Sequence, residues 1–310
     1  MSTSVQWYLH GIQLPSGDWI SQLTDLFPST GTAYLTGHAS GAVVPSFLAA
    51  QGIKPEFAFS TPQIATVLSN CGITGVGYSV TNCDLYFRRS SNLGGRVAIT
   101  TATHQRLRAV RSLFYWTRIS ASQDGPATIQ CRLVPTFDGT NLPIVPAGSV
   151  AIPAYVTASE FYTLGPVAFN LGEVADVDEW SLDLGVQLRE KASSGDDFLS
   201  YAGIQSHSPV LTLSTGDAAW WVSPGLGGTQ LTSAAFFLRR RQVDQTRCYA
   251  DGSAQHIAFS AVDNPCGLLT VEQSGGAGMN PATVNLRAAF RINAATDQHP
   301  LSVDYASAIT

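Results

Sequence analysis

The stretch Phe47-Leu48-Ala49-Ala50-Gln51-Gly52-Ile53-Lys54, followed by Pro55 and Ser60-Thr61, returns as Phe198-Leu199-Ser200-Tyr201-Ala202-Gly203-Ile204-Gln205, followed by Pro209 and Ser214-Thr215. Three further matches keep the same order. They are Leu85-Tyr86-Phe87-Arg88-Arg89 with Phe236-Phe237-Leu238-Arg239-Arg240, His104 with His256, and Ala127-Thr128-Ile129-Gln130-Cys131-Arg132 with Ala282-Thr283-Val284-Asn285-Leu286-Arg287. The offset stays between 151 and 155 residues. Solenoid repeats run about 20 to 50 residues, so a unit of this length reads as a whole domain copied once in tandem.

Within each copy the local pattern is that of short strands. Val5-Gln6-Trp7-Tyr8-Leu9, Asp84-Leu85-Tyr86-Phe87, Thr128-Ile129-Gln130-Cys131-Arg132-Leu133-Val134 and the run from Trp180 to Leu188 are rich in β-branched or aromatic residues. Clusters such as Asn92-Leu93-Gly94-Gly95 and Gln123-Asp124-Gly125-Pro126 separate them. Strands joined at this spacing by turn residues predict a mainly β fold, two tandem antiparallel β-sandwich domains. Each copy is also expected to carry one short α-helix. Thr61-Pro62 followed by Ile64, Val67 and Leu68 predicts the first, with Thr61 at the N-cap and Pro62 at the first helical position. The second is expected from Thr215-Gly216-Asp217 through Trp220 and Trp221 to Pro224-Gly225.

The tails of the two copies correspond, which places a boundary at Pro153: copy one spans 1–153 and copy two 154–310. Pro143, Pro146 and Pro153 make the first tail an extended arm, at about 3.1 Å per residue. Such an arm can pack on its own chain or lie on a neighbouring domain, and its C-terminal counterpart can likewise reach the next chain.

Composition narrows the classes of function. Charged residues are only 13% of the chain against 45% apolar, which suits a subunit that hides much of its surface in an assembly. The net charge is −5, and the runs Arg88-Arg89 and Arg239-Arg240-Arg241 do not make the basic stripe of a nucleic-acid binder. Sequence-specific nucleic-acid binding is therefore not expected. The five cysteines (Cys71, Cys83, Cys131, Cys248, Cys266) are an odd number without a C-x-x-C pair and read as reduced core residues. No basic segment followed by an apolar run opens the chain, no stretch reaches a membrane span, and N-x-[ST] acceptors are absent. Synthesis in a cytoplasm, without membrane partners, is the expectation.

Motifs for chemistry are weak throughout. Gly37-His38-Ala39-Ser40-Gly41 is not a nucleophile elbow, and Gly72-Ile73-Thr74-Gly75-Val76-Gly77 follows a helix where a dinucleotide fingerprint would open one. Glu173, Asp176, Asp178, Glu179 and Asp183 form the best cation candidate, yet they lack the calcium-loop pattern and read as a solvated loop before Trp180. None of the six histidines has zinc-ligand spacing. His104 and His256, at equivalent positions, read as a shared packing element. No catalytic residue, cofactor site or metal site is assigned, and the chain is read as a non-enzyme. The residues specific to one copy, Trp220 and Trp221, together with Arg239, Arg240 and Arg241, are the candidate interface.

Each copy, with its strands, its helix after the Ser60-Thr61 type strand end and its Leu85-Tyr86-Phe87-Arg88-Arg89 type strand, resembles virion structural proteins of tailed bacteriophages, in particular tail-tube-like subunits. The resemblance lies in architecture and covers both halves. It implies a subunit located in the virion and made in the host cytoplasm, which binds itself and other virion proteins. Three two-domain chains would then close a pseudo-sixfold ring around a lumen. A capsid decoration or minor capsid protein has the same texture. The aromatics Trp7, Tyr8, Trp19, Tyr115, Trp116, Trp180, Trp220 and Trp221 raise the other reading, a carbohydrate-binding or host-recognition module, because flat rings can cover the apolar face of a sugar.

Overall fold

In Glu56-Phe57-Ala58-Phe59-Ser60-Thr61 every second side chain is buried, and Val210-Leu211-Thr212-Leu213-Ser214-Thr215 repeats the same alternation. Period-two burial of this kind puts one face of a strand on a core and the other toward solvent. A computed structural model of the chain describes residues 6–29, 31–37, 40, 43–44, 47–71, 78–90, 95–155, 159–193, 197–221, 223–225, 227–243, 247–261, 265–274, 283–291 and 301–309. It is mainly β.

The first half contains β1 (Trp7–Gln13), β2 (Trp19–Ile20), β3 (Asp25–Ser29), β4 (Thr32–Gly37), β5 (Phe47–Ile53), β6 (Glu56–Thr61), α1 (Ile64–Cys71), β7 (Tyr78–Arg89), β8 (His104–Ser122), β9 (Thr128–Thr136) and β10 (Ile144–Val150). The second contains β11 (Tyr162–Phe169), β12 (Gly172–Val174), β13 (Val177–Asp183), β14 (Gln187–Ala192), β15 (Leu199–Ser206), β16 (Val210–Thr215), a 3-10 turn (Ala218–Trp221), β17 (Thr229–Leu231), β18 (Ala234–Arg240), β19 (His256–Ala261), β20 (Gly267–Ser274), β21 (Thr283–Phe290) and β22 (Ser302–Ser307). All strand pairs are antiparallel, apart from one isolated parallel bridge between Ile53 and Phe198.

The order of pairing is the same in the two halves. One layer runs β2-β1-β7-β8-β10 in the first and β12-β11-β18-β19-β22 in the second. The other runs β3-β6-β9-β8 and β13-β16-β21-β20, and the hairpins β4-β5 and β14-β15 correspond. The 19-residue β8 serves both layers of its half, whereas the second half divides that work between β19 and β20. Both histidines singled out by the repeat are fully buried and make the same two contacts. His104 Nδ1 accepts the Arg89 N–H at 3.2 Å and its Nε2 lies 2.8 Å from the Ala98 carbonyl. His256 Nδ1 accepts the Arg240 N–H at 3.1 Å, with Nε2 3.0 Å from the Ala250 carbonyl. Each ring ties the end of one strand to the loop before the next, which satisfies backbone groups that have no strand partner.

Two expectations need correction. The second helix is only the 3-10 turn Ala218–Trp221, because Gly216 on one side and Pro224-Gly225 on the other leave too few residues to nucleate an α-helix. The tails pair within their own halves. Ile144 and Val145 of β10 pair with Ala109 and Arg108 of β8, and β22 pairs with β19. Pro146 is tolerated within β10 because β10 is an edge strand, and the register shifts just beyond it, between Ala147 and Val150. The helix start also differs from its sequence signature: α1 begins at Ile64, so Thr61 and Pro62 precede the cap position. Thr61 Oγ1 accepts the Gln63 N–H at 3.2 Å. Buried Gln63 then accepts from the N–H groups of Ser21 (2.7 Å) and Gln22 (3.0 Å) and donates to the Trp19 carbonyl at 3.2 Å.

The segment connecting the halves is held down. Ile152 is buried, and Tyr155 stacks on Trp19 at 4.5 Å between ring centres while its hydroxyl meets His10 Nε2 at 2.8 Å. Burial, helped by the charges of Arg88, Arg96 and His104, pulls the His10 imidazole from 6.5 down to about 4. The folded state keeps His10 neutral where the unfolded chain binds a proton. Its contribution to stability is therefore full above pH 6.5 and is lost as the pH falls from there toward about 4. The melting temperature is expected to drop across that window, and His10→Gln, which can still bond the Tyr155 hydroxyl, is expected to flatten the drop. Parallel melts of the two proteins from pH 7 to pH 4 check this; identical slopes would remove His10 from the account.

Candidate functional site

The junction between the halves is built from backbone. Along β13, Glu179, Trp180, Ser181, Leu182 and Asp183 stand opposite Ser122, Ala121, Ser120, Ile119 and Arg118 of β8. On its other edge β13 pairs with β16. The inner layers thus fuse edge to edge in the order β3-β6-β9-β8-β13-β16-β21-β20. Trp180 and Leu182 point into the same continuous core as Ile119 and Ala121. The opposite face presents Arg118, Ser120, Glu179, Ser181, Thr212, Ser214 and Asn285 around a groove of about 280 Å³. It is a polar face with charges of both signs, on which Arg118 donates to the Ser181 hydroxyl at 3.0 Å. Two arginines on equivalent strands of this face each hold an ion pair, Arg132 of β9 with Glu56 of β6 at 2.7 Å and Arg287 of β21 with Glu272 of β20 at 3.6 Å.

Three further contacts lock the junction. Gln123 donates its backbone N–H to the Asp178 carbonyl (3.0 Å) and its side-chain amide to the Val177 carbonyl (2.6 Å). The hairpin β14-β15 lies across the first half, where Leu188, Ala202 and Ile204 pack on Leu113, Tyr115 and Val134. The carboxylate of Glu160, just before β11, accepts the N–H groups of Ala65 (2.7 Å) and Thr66 (3.1 Å) and the Thr66 hydroxyl. These N–H groups are among those a helix start cannot satisfy itself, so α1 is capped by a residue nearly a hundred positions away. Burial raises the Glu160 carboxyl, while the bonds from Thr66 and Ala65 oppose that rise.

The residues singled out in the sequence lie elsewhere and are engaged within their own half. Arg239 donates to Asp251 at 3.0 Å, Arg240 donates to Gln255 at 2.8 Å, and Arg241 stacks over the Phe161 ring at 5.8 Å. Trp220 is only 5% exposed and packs edge-on against Phe169. The Trp221 side chain lies outside the described residues, as do the loop at 72–77 and most of the Gly37–Gly41 motif. Trp19, Tyr115, Trp116 and Trp180 are buried, which leaves them no open ring face for a sugar. Of the acidic stretch, Asp176 and Asp183 serve turns: the Asp176 carbonyl accepts the Gly216 N–H, and Asp183 Oδ1 accepts the Gly185 N–H. Among the described residues no group of three or more His, Cys, Asp or Glu is placed to hold a metal ion, and no helix is long and apolar enough to cross a membrane. Burial raises the thiols of Cys71, Cys83 and Cys131.

No protein-family model matches this chain, and none of the curated proteins matches it. The β13 edge and Glu160 were not recognisable as site residues from sequence, since neither carries a motif. A hint for Glu160 was a carboxylate placed just before an apolar strand.

Replacing Glu160 by Ala leaves two helix N–H groups without their acceptor, at a cost of about 1–3 kcal/mol. Glu160→Gln keeps one acceptor and is expected to lose less. Urea denaturation of both variants, with amide exchange read across 64–71, measures this; an unchanged exchange rate in α1 would contradict the capping role.

Proposed function

We propose that the chain is a non-enzymatic structural subunit of a tailed-phage virion, a tail-tube or ring component that assembles laterally through the edges of its sheets. The observation that carries this reading is the edge-to-edge pairing of β8 with β13, which turns two sandwich halves into one continuous polar-faced sheet. A sheet of that kind has two terminal edges, and exposed edges are either shielded or used for pairing with another chain. Closed assemblies remove them.

The reading includes an origin by tandem duplication, with a boundary at Pro153. The matching order of strand pairing and the matching histidine contacts support it. Three chains of two equivalent halves give a ring of six similar units, with the Ser- and Thr-rich face of the joined sheet as a candidate lining of the lumen. A lining with few unpaired charges would let DNA pass without holding it, since tight phosphate binding needs clustered Lys and Arg. The subunit would bind copies of itself and other virion proteins.

Size-exclusion chromatography with light scattering, followed by negative-stain microscopy of the purified chain, tests this. Annular particles with a central pore, alone or stacked, are the expected result. A clean monomer at high concentration would count against the proposal. Knobs that form only on a preformed shell would point instead to capsid decoration.

A further inference from the structure

The internal junction has two parts on the sheet, and each has an open counterpart elsewhere in the same chain. The first is the strand edge. Asp25 of β3 stands opposite Ser60 as Glu179 of β13 stands opposite Ser214, so β3 holds in the first half the place of β13 in the second. In the same way Val271 of β20 faces Leu286 as Trp116 of β8 faces Cys131. Among the described residues β3 pairs only with β6. Beyond Leu269, where β17 stops, β20 pairs among the described residues only with β21. Among the described residues the edge that β13 would use is thus open on β3, and the edge that β8 offers is open on β20.

The second part is the hairpin seat. Leu113, opposite Val134, is 3% exposed because β14-β15 covers it. Its counterpart Leu268, opposite Ala289, is 46% exposed. The hairpin equivalent to β14-β15 is β4-β5, whose strands pair with each other; among the described residues it meets the second half at its end, where Ile53 bridges Phe198 and donates its N–H to the Asp197 carbonyl at 2.7 Å, and where the following Lys54 pairs with Glu190 at 2.9 Å. A covered leucine in one half and a bare one in the other, with a spare hairpin of the matching kind, describe the same interface once made and once unmade.

Resting on the assembly reading above, we propose that a second copy of this chain docks its β3 edge and β4-β5 hairpin onto β20, repeating across the chain boundary the contact that β13 and β14-β15 make on β8. The internal register carries over directly. Asp183 opposite Arg118, Leu182 opposite Ile119 and Ser181 opposite Ser120 become Ser29 opposite Glu272, Pro28 opposite Gln273 and Phe27 opposite Ser274. No like charges meet in that register. Pro28 contributes a carbonyl but no N–H, which weakens β3 as a partner for arbitrary strands. The hairpin contact over Leu268 supplies the selectivity that the ladder lacks. The contact is head to tail, so it propagates from chain to chain until the rotation closes a ring.

Cysteine pairing tests the register itself. Residues facing each other on antiparallel strands have Cα atoms about 4.5–5.5 Å apart, within the span of a disulfide. Full-length Ser29→Cys and Glu272→Cys variants are purified, mixed in equal amounts and oxidised mildly. A covalent dimer is expected in the mixture and absent from either variant alone. The double variant is expected to give a ladder that ends at three chains. Ring particles that form without any cross-link would overturn this interface while leaving the assembly proposal standing. A protein that stays monomeric and uncross-linked would overturn both. A ladder continuing past three would support the interface and overturn the three-chain ring.

Discussion

The antiparallel pairing of β8 with β13 is the constraint on which the rest of the molecule depends. It makes one core of what would be two, because Ile119 and Ala121 on one strand and Trp180 and Leu182 on the other face the same interior. Burying these side chains at about 25 cal/mol per Å² favours a junction that backbone hydrogen bonds alone would not hold. It also explains the length of β8. Its first residues lie between β7 and β10, its middle between β7 and β9, and its last five between β9 and β13. The clasp made by Gln123 and the cap made by Glu160 then fix the second half against the first beyond the ladder itself.

From the same constraint follows a division of surfaces. The outer layers close over the core and carry the buried histidines and the arginine strand ends with them. The joined inner layer keeps a polar face rich in Ser and Thr, with opposite charges in reach of each other. Low overall charge, which the composition showed, is consistent with a chain whose functional surfaces are backbone edges and small polar side chains rather than charged patches.

Much of this fold is legible in the sequence, for a physical reason: alternation and turn residues are local signals. The period-two burial of Phe57, Phe59 and Thr61 and the same pattern at Leu211, Leu213 and Thr215 could be read directly. So could α1, from Ile64, Val67 and Leu68. The second helix misled, because Trp220 and Trp221 suggest an apolar helix face while Pro224 had already limited its length. Three consecutive arginines look like a patch, but each finds a partner close by: Asp251, Gln255 and the Phe161 ring. Glu160 and the β13 edge carry no motif, since which distant strand pairs with which is decided by long-range packing.

The central claim is that the junction inside the chain is also the junction between chains. Residue-resolved amide hydrogen exchange, compared between the dissociated chain and the assembled particle, addresses it most directly. The account requires β13 and the end of β8 to be protected in both states, and β3 and residues 270–274 to gain protection only on assembly. Assembled particles in which the amides of β3 and 270–274 exchange as fast as in the free chain would contradict it.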